Sequence, residues 1–167
     1  KCAVRYLRAN SERLGIDSTR IAAWGRSAGG HLAMLLGLAD ESAGWDQSGQ
    51  HIDHSSSVQA VVDMYGPIIE IDGICSKLKV ITEVFGTPDC DPEVLVPAGP
   101  LTHISSDDPP FLILHSSGDT VVPSSSSQTV YEHLTAAGVS ATLVIVDHDK
   151  HHFNSEMNPS HEEVAKI

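Results

Sequence analysis

Four short stretches of this chain are apolar at successive positions, and helical patterns separate them. They are Arg20-Ile21-Ala22-Ala23-Trp24, Val58 to Tyr65, Phe111-Leu112-Ile113-Leu114-His115 and Thr142-Leu143-Val144-Ile145-Val146. A strand with one face in water alternates apolar with polar residues, whereas a strand apolar on both faces has to be buried on both. Helical patterns fall over Ala28 to Ala39, over Ser124 to Ala137 with Gly138 as its stop, and over roughly Glu156 to Ile167. Such alternation predicts an α/β fold, a mostly parallel sheet with helices on both faces. The helix at Ala28 is apolar on most sides and is expected to be largely buried.

The segments between are less regular. Lys1-Cys2-Ala3-Val4-Arg5-Tyr6-Leu7-Arg8 reads as the middle of an amphipathic helix, with Val4, Leu7 and Leu14 on one face and Gly15 as its C-cap. A domain rarely starts inside a helix without a cap, so sequence upstream of Lys1 is expected. A targeting segment would lie there too. The location stays open on this reading, with a secreted or periplasmic place preferred over the cytoplasm. Residues 40–57 are polar and read as a long surface loop, and residues 68–100 as irregular short helices above the sheet.

The chain has 167 residues, a length that suits one domain spanning 1–167. A net charge of −12 argues against nucleic acid or an anionic membrane surface as a partner. No apolar run approaches the roughly 20 residues of a membrane span. Cys2, Cys75 and Cys90 are too few for a disulfide scaffold and lack the close pairing of a zinc site, although Cys75 and Cys90 could bridge a loop in an oxidising compartment.

Chemistry concentrates at Gly25-Arg26-Ser27-Ala28-Gly29-Gly30, between the first strand and the apolar helix. In that setting G-x-S-x-G is a nucleophile elbow. The turn is so tight that side chains at positions 25 and 29 are expected to collide with their neighbours. Ser27 is then held in a strained conformation at a helix N-terminus. There the helix dipole and the free amides, the Ala28 N–H first among them, favour a developing negative charge. Chance alone gives this five-residue pattern in roughly one chain in twenty of this length, and the flanking strand and helix lower that figure.

A serine hydroxyl needs a base, and the order on such a fold is Ser, acid, His. Asp119 follows the third strand, and His148, His151 and His152 follow the fourth. All lie past strand C-terminal ends, where sites assemble in open parallel sheets, with Ser27 in the centre. Spacing does not choose among the three histidines. Asp107 and Asp108, before Pro109-Pro110, read as turn residues. His31 and His115 read as hydrogen-bonded structural histidines. Arg26 reaches a substrate or a neighbouring acid, or forms a scaffold ion pair. The His-rich stretches at 51–54 and 148–152 read as solvated surface rather than metal sites.

Several stretches in order carry a resemblance. They are Gly15-Ile16-Asp17 through Ile21, Trp24 to Ala33, Val58 to Asp63 with Gly66-Pro67, Asp107 to His115, Asp119 with Val121-Val122-Pro123, and Ala136 to Val139. The chain resembles the esterase and lipase branch of the α/β-hydrolases, especially bacterial carbohydrate-esterase and feruloyl-esterase-like (BD-FAE-like) domains. The resemblance implies Ser27 as nucleophile, Asp119 as acid and Ala28 as an oxyanion donor. The family's Gly-x-Gly-His-Gly-Phe motif, laid on Asp147 to Phe153, implies His151 as base. His148, Lys150 and His152 stand where that motif has glycine, and Ser116-Ser117 replace a Gly-Asp pair.

The implied fold is the C-terminal half of an α/β-hydrolase domain, with the N-terminal strands and a His-Gly-Gly oxyanion loop upstream of Lys1. The implied activity is hydrolysis of carboxylic esters through an acyl-enzyme, on small-molecule or carbohydrate-linked acetyl or feruloyl esters, with no metal or cofactor. Rival readings are a prolyl-oligopeptidase-like peptidase, an aryl formamidase, and a non-catalytic hydrolase-fold binding module.

Overall fold

The computed structural model describes residues 1–69, 83–87, 91–147 and 149–153. Helix α1 (Cys2–Ala9) and the single turn α2 (Ser11–Leu14) precede β1 (Ala22–Arg26), α3 (Ala28–Leu38) and β2 (Ala60–Met64). Then come α4 (Pro92–Ala98), β3 (Phe111–Ser116), α5 (Ser125–Ala136) and β4 (Ala141–Val146). The four strands are parallel, in the order β1-β2-β3-β4. Cys75, Cys90, His148 and the helix expected over Glu156 to Ile167 lie outside the described residues.

Register sorts the sheet into two faces. Ala23, Val61, Phe111 and Ala141 form one row, and Gly25, Asp63, Ile113 and Leu143 the next row on the same face. Against this face pack Ala33, Met34 and Leu38 of α3 and Val130 and Leu134 of α5. Met34, Ile113, Val130 and Leu134 are fully buried, each contributing about 1.5–3 kcal/mol by leaving water. The opposite face carries Met64, Leu114 and Val146, which gather with Tyr65 and Phe153. The runs that are apolar at successive positions thus supply both faces from one strand.

Helix α3 lies unusually low on the sheet because glycine faces the strands. A Cβ at Gly37 would stand 2.4 Å from Val61 Cγ2. One at Gly30 would stand 2.3 Å from Asp63 Oδ1 and 3.0 Å from Gly66 Cα. The small-residue side therefore turns inward, and Leu32, two residues round from Gly30, points out at 64 % exposure. A helix apolar on most sides does not reveal this orientation, because its pattern selects no face.

The N-terminal helix also differs from expectation. The single helix expected up to Gly15 divides at Asn10, which caps α1, so Gly15 is the left-handed C-cap of α2 alone; Val4 is buried, but Leu7 and Leu14 are exposed. The buried partner of Val4 is Arg5, at 1 % exposure. Arg5 pairs with Asp46 and donates to the Ser48 and Gln50 carbonyls. Arg8 donates to the carbonyls of Ser18, Ser55 and Ser57. Two arginines thus tie the polar loop 40–57 to α1, and α1 is seated by charge-assisted hydrogen bonds more than by a leucine stripe. No helix among the described residues is long and apolar enough to cross a membrane.

Packing beneath α3 sets a testable contrast between adjacent glycines. Gly30→Ala is expected to lower stability by about 1–3 kcal/mol through overpacking against Asp63 and the Gly66 backbone. A Cβ at Gly29 meets nothing within 4 Å, so Gly29→Ala is expected to leave stability unchanged or slightly raised through helix propensity. Urea midpoints of the two variants measure the difference.

Candidate active site

Strand β1 runs to Arg26 and α3 starts at Ala28, so Ser27 alone turns the chain. It does so at φ 53 and ψ −125, a sparsely populated conformation for a residue with a side chain, costing about 1–3 kcal/mol. The Ser27 amide donates to the Met64 carbonyl at 2.9 Å, and the Ser27 carbonyl accepts from the His31 amide at 3.1 Å. Gly25 is required, since a Cβ there would lie 1.9 Å from the Gly29 carbonyl oxygen. The collision expected at Gly29 is absent. The second close approach falls at Gly30, because that residue, not Gly29, faces β2. A serine at a helix N-cap ordinarily accepts from an amide of its own first turn. Ser27 makes no such bond, and its hydroxyl is turned to His151 instead.

His151 bridges two other loops. Its Nε2 lies 2.8 Å from Ser27 Oγ, and its Nδ1 lies 2.5 Å from Asp119 Oδ2. Among the described strands β1 is an edge, so Ser27 stands above the edge and not the centre of the four-stranded sheet. His151 follows β4, three strand spacings away, or about 14 Å. The loop after β4 crosses this gap over β3 and β2. Tyr65 receives it there: its ring meets His151 edge-on at 4.8 Å and Phe153 at 5.2 Å. Phe153 is buried, His151 half-buried and His152 exposed. The structure therefore brings His151 to Ser27.

Asp119 is built by its own loop. Oδ1 accepts from the Val121 and Val122 amides at 2.8 and 3.0 Å. Burial alone would raise this carboxyl, but hydrogen bonds from His151 and from the Val122 and Val121 amides outweigh it and hold its pKa below the ordinary value. The ionised carboxylate fixes the tautomer of His151. Nδ1–H donates to Asp119, which leaves Nε2 to accept the Ser27 hydroxyl. Ala28, first residue of α3, is exposed beside the serine.

Other polar groups surround the site. His115 is fully buried; its Nε2 faces the Val122 carbonyl at 2.9 Å and Asp119 Oδ2 at 3.3 Å, and its Nδ1 lies 2.7 Å from Ser127 Oγ. His31 Nδ1 lies 3.0 Å from the Pro67 carbonyl. Burial lowers the pKa of both rings. Arg26 is exposed, and its charge opposes the rise that burial causes in the Tyr65 pKa. Asp107 and Asp108 close the turn before β3 by accepting from Ser105, as their position predicts.

Tyr65 and Asp63 escape a sequence reading. Tyr65 closes β2 at φ 46, strained like Ser27, and the only trace is the Tyr65-Gly66-Pro67 break. Asp63 is fully buried, and its Oδ1 accepts from the Gly66 amide at 3.0 Å. Its signal is a carboxylate inside an otherwise apolar strand.

A family model described as BD-FAE matches residues 1–134. Esterase LipC of Mycobacterium tuberculosis is 34 % identical over 142 residues, which are 81 % of this chain and 35 % of LipC. A truncated carbohydrate esterase from gut microbiota superposes with a TM-score of 0.77 at 28 % identity, over 89 % of this chain and 58 % of that one. An acetyl ester-xyloside bifunctional hydrolase from Caldicellulosiruptor lactoaceticus gives 0.70 at 28 % identity, over 90 % and 54 %. The chain spans about a third of the length of the curated relatives it matches.

Asp63 makes stability depend on pH in a defined sense. Burial pushes its carboxyl up to about 7, against a weaker opposing effect of the Gly66 amide. An unfolded aspartate releases its proton near pH 4, so between about pH 4 and 7 the unfolded state binds fewer protons and this group's contribution falls as the pH rises. Urea unfolding of Asp63→Asn and wild type at both ends of that window checks this. The stability difference is expected to move in the variant's favour at the higher pH, by a few kcal/mol on the order of the shift.

Proposed function

The chain belongs to the BD-FAE family, and from that premise we propose that it is the serine-bearing part of an esterase that hydrolyses carboxylic esters through an acyl-enzyme. One observation carries the reading: His151 stands with one ring nitrogen at Ser27 Oγ and the other at Asp119. As the ester carbonyl is attacked, the Ser27 proton passes to His151 Nε2, and the buried Asp119 carboxylate stabilises the imidazolium. The oxyanion forms beside the Ala28 amide at the N-terminus of α3. Collapse of the tetrahedral intermediate expels the alcohol with the proton from His151. Water, deprotonated by the same nitrogen, then attacks the acyl-serine and frees the acid.

The conformation of Ser27 supports this assignment. Its hydroxyl forgoes a helix cap, worth about 1 kcal/mol, and points at a base. The proposed substrates are small or carbohydrate-linked esters, with acetyl or feruloyl acyl groups. Similarity to a protein described as a carbohydrate esterase and to one described as an acetyl ester-xyloside bifunctional hydrolase supports that class. The proposed chemistry uses side chains and backbone amides alone.

Hydrolysis of p-nitrophenyl acetate tests the mechanism in the protein at its natural length. Ser27→Ala is expected to lose at least ~10⁴-fold in turnover, with Asp119→Asn similar or milder. Turnover that survives in folded Ser27→Ala would overturn the assignment.

A further inference from the structure

Behind Asp119 the hydrogen-bonded chain continues into the core. His115, at the end of β3, is fully buried, and so is Ser127 on the first turn of α5. Among the described residues, His115 Nε2 has acceptors before it, the Val122 carbonyl at 2.9 Å and Asp119 Oδ2 at 3.3 Å. It therefore carries a hydrogen, donated to the Val122 carbonyl, with Asp119 Oδ2 in close contact beside it. Nδ1 of the same neutral ring is then an acceptor, and the Ser127 hydroxyl, 2.7 Å away, is its donor. Each proton position in the chain dictates the next. Ser127 fixes the tautomer of His115, and the His115 N–H holds the Val122 carbonyl while its ring lies against the carboxylate oxygen that receives His151.

The groups facing His115 leave it no other role in holding charge. Asp119 lies on the loop after β3, His151 on the loop after β4, Ser127 on α5, and the Tyr65 ring, from the end of β2, is edge-on at 6.4 Å. Burial lowers the pKa of the ring and keeps it neutral, with the Val122 carbonyl and Asp119 pulling weakly the other way. A neutral donor in this place steadies a carboxylate without adding a second cation to compete with a protonated His151.

We propose that His115, with its tautomer set by Ser127, is a positioning residue that locks Asp119 Oδ2 in register with His151 Nδ1. Asp119 then has the Val121 and Val122 amides on Oδ1 and His151 on Oδ2, while His115 holds the carbonyl of Val122 in the same loop and lies against Oδ2. Rotation of the carboxylate about its Cβ–Cγ bond would break bonds at both oxygens. The proposal rests on the esterase reading, since the alignment of Asp119 matters only if His151 serves Ser27. Its consequence belongs to the chemical step, so kcat is expected to fall while KM stays.

The experiment is steady-state kinetics on p-nitrophenyl acetate in the protein at its natural length, with kcat counted per site titrated by a fluorophosphonate. His115→Leu is expected to lower kcat on the order of tenfold, the size of one neutral hydrogen bond that no longer holds the Asp119 loop, with KM within about twofold. His115→Gln keeps an N–H for the Val122 carbonyl and is expected to recover most of the loss. Ser127→Ala, a smaller change that also covers the case in which His115→Leu does not fold, is expected to lower kcat severalfold. Wild-type kcat in Ser127→Ala, or equal kcat in the Leu and Gln variants, would overturn the proposal. Ser27→Ala run beside them separates the two readings. If that variant keeps turnover, the esterase reading fails; if it is inactive while His115 variants match wild type, only the positioning role fails.

Discussion

The hydrogen bond from the Ser27 amide to the Met64 carbonyl joins the sharpest turn of the chain to the end of the neighbouring strand. Parallel pairing of Arg26 with Met64 places that carbonyl beneath the turn. Loss of this register would release the backbone strain at Ser27, and the hydroxyl would be free to cap α3. Glycine makes the arrangement possible at both levels. Gly25 lets β1 pass under the first turn of α3, and Gly30 and Gly37 let the helix rest on β2. The same strand end positions His151, because Tyr65, strained in turn, supplies the surface on which His151 and Phe153 lie.

Two buried aspartates on neighbouring elements show how partners decide ionisation. Asp119 receives hydrogen bonds from two amides and from His151, and its pKa falls despite burial. Asp63 receives one amide, from Gly66, and burial drives it up to about 7. Desolvation acts on both in the same direction, so the number of donors sets the outcome. The result is one fixed negative charge, at the position where it holds the tautomer of His151. A neutral carboxyl below pH 7 sits beneath the helix N-terminus, where Gly30 and Gly66 leave room for nothing larger.

Much of this architecture is legible in the sequence because burial on both faces leaves a simple trace. All four strands are found within about two residues of the apolar runs that announce them, and β3 begins at Phe111 as read. The parallel order then carries residues 27, 119 and 151 to one edge, and the spacing of small residues around Ser27 marks the turn. Three features stay hidden for physical reasons. The histidine cluster after β4 has no periodicity, and only the motif's phenylalanine, Phe153, buried against Tyr65, distinguishes His151 from its neighbours. The inward side of α3 is set by close contact with Asp63 and Val61, which no apolar pattern records. The burial of Arg5 depends on carbonyls more than 40 residues away, in a loop whose path composition does not fix.

The central claim is that Ser27 Oγ becomes acylated. Peptide mapping by mass spectrometry after a millisecond acid quench of the reaction with p-nitrophenyl acetate reads that bond directly. An acetyl group on the peptide containing Ser27, absent when Asp119 or His151 is replaced, is the result expected. Ester hydrolysis with no acyl group on Ser27, or with the acyl group on another side chain, would contradict the account.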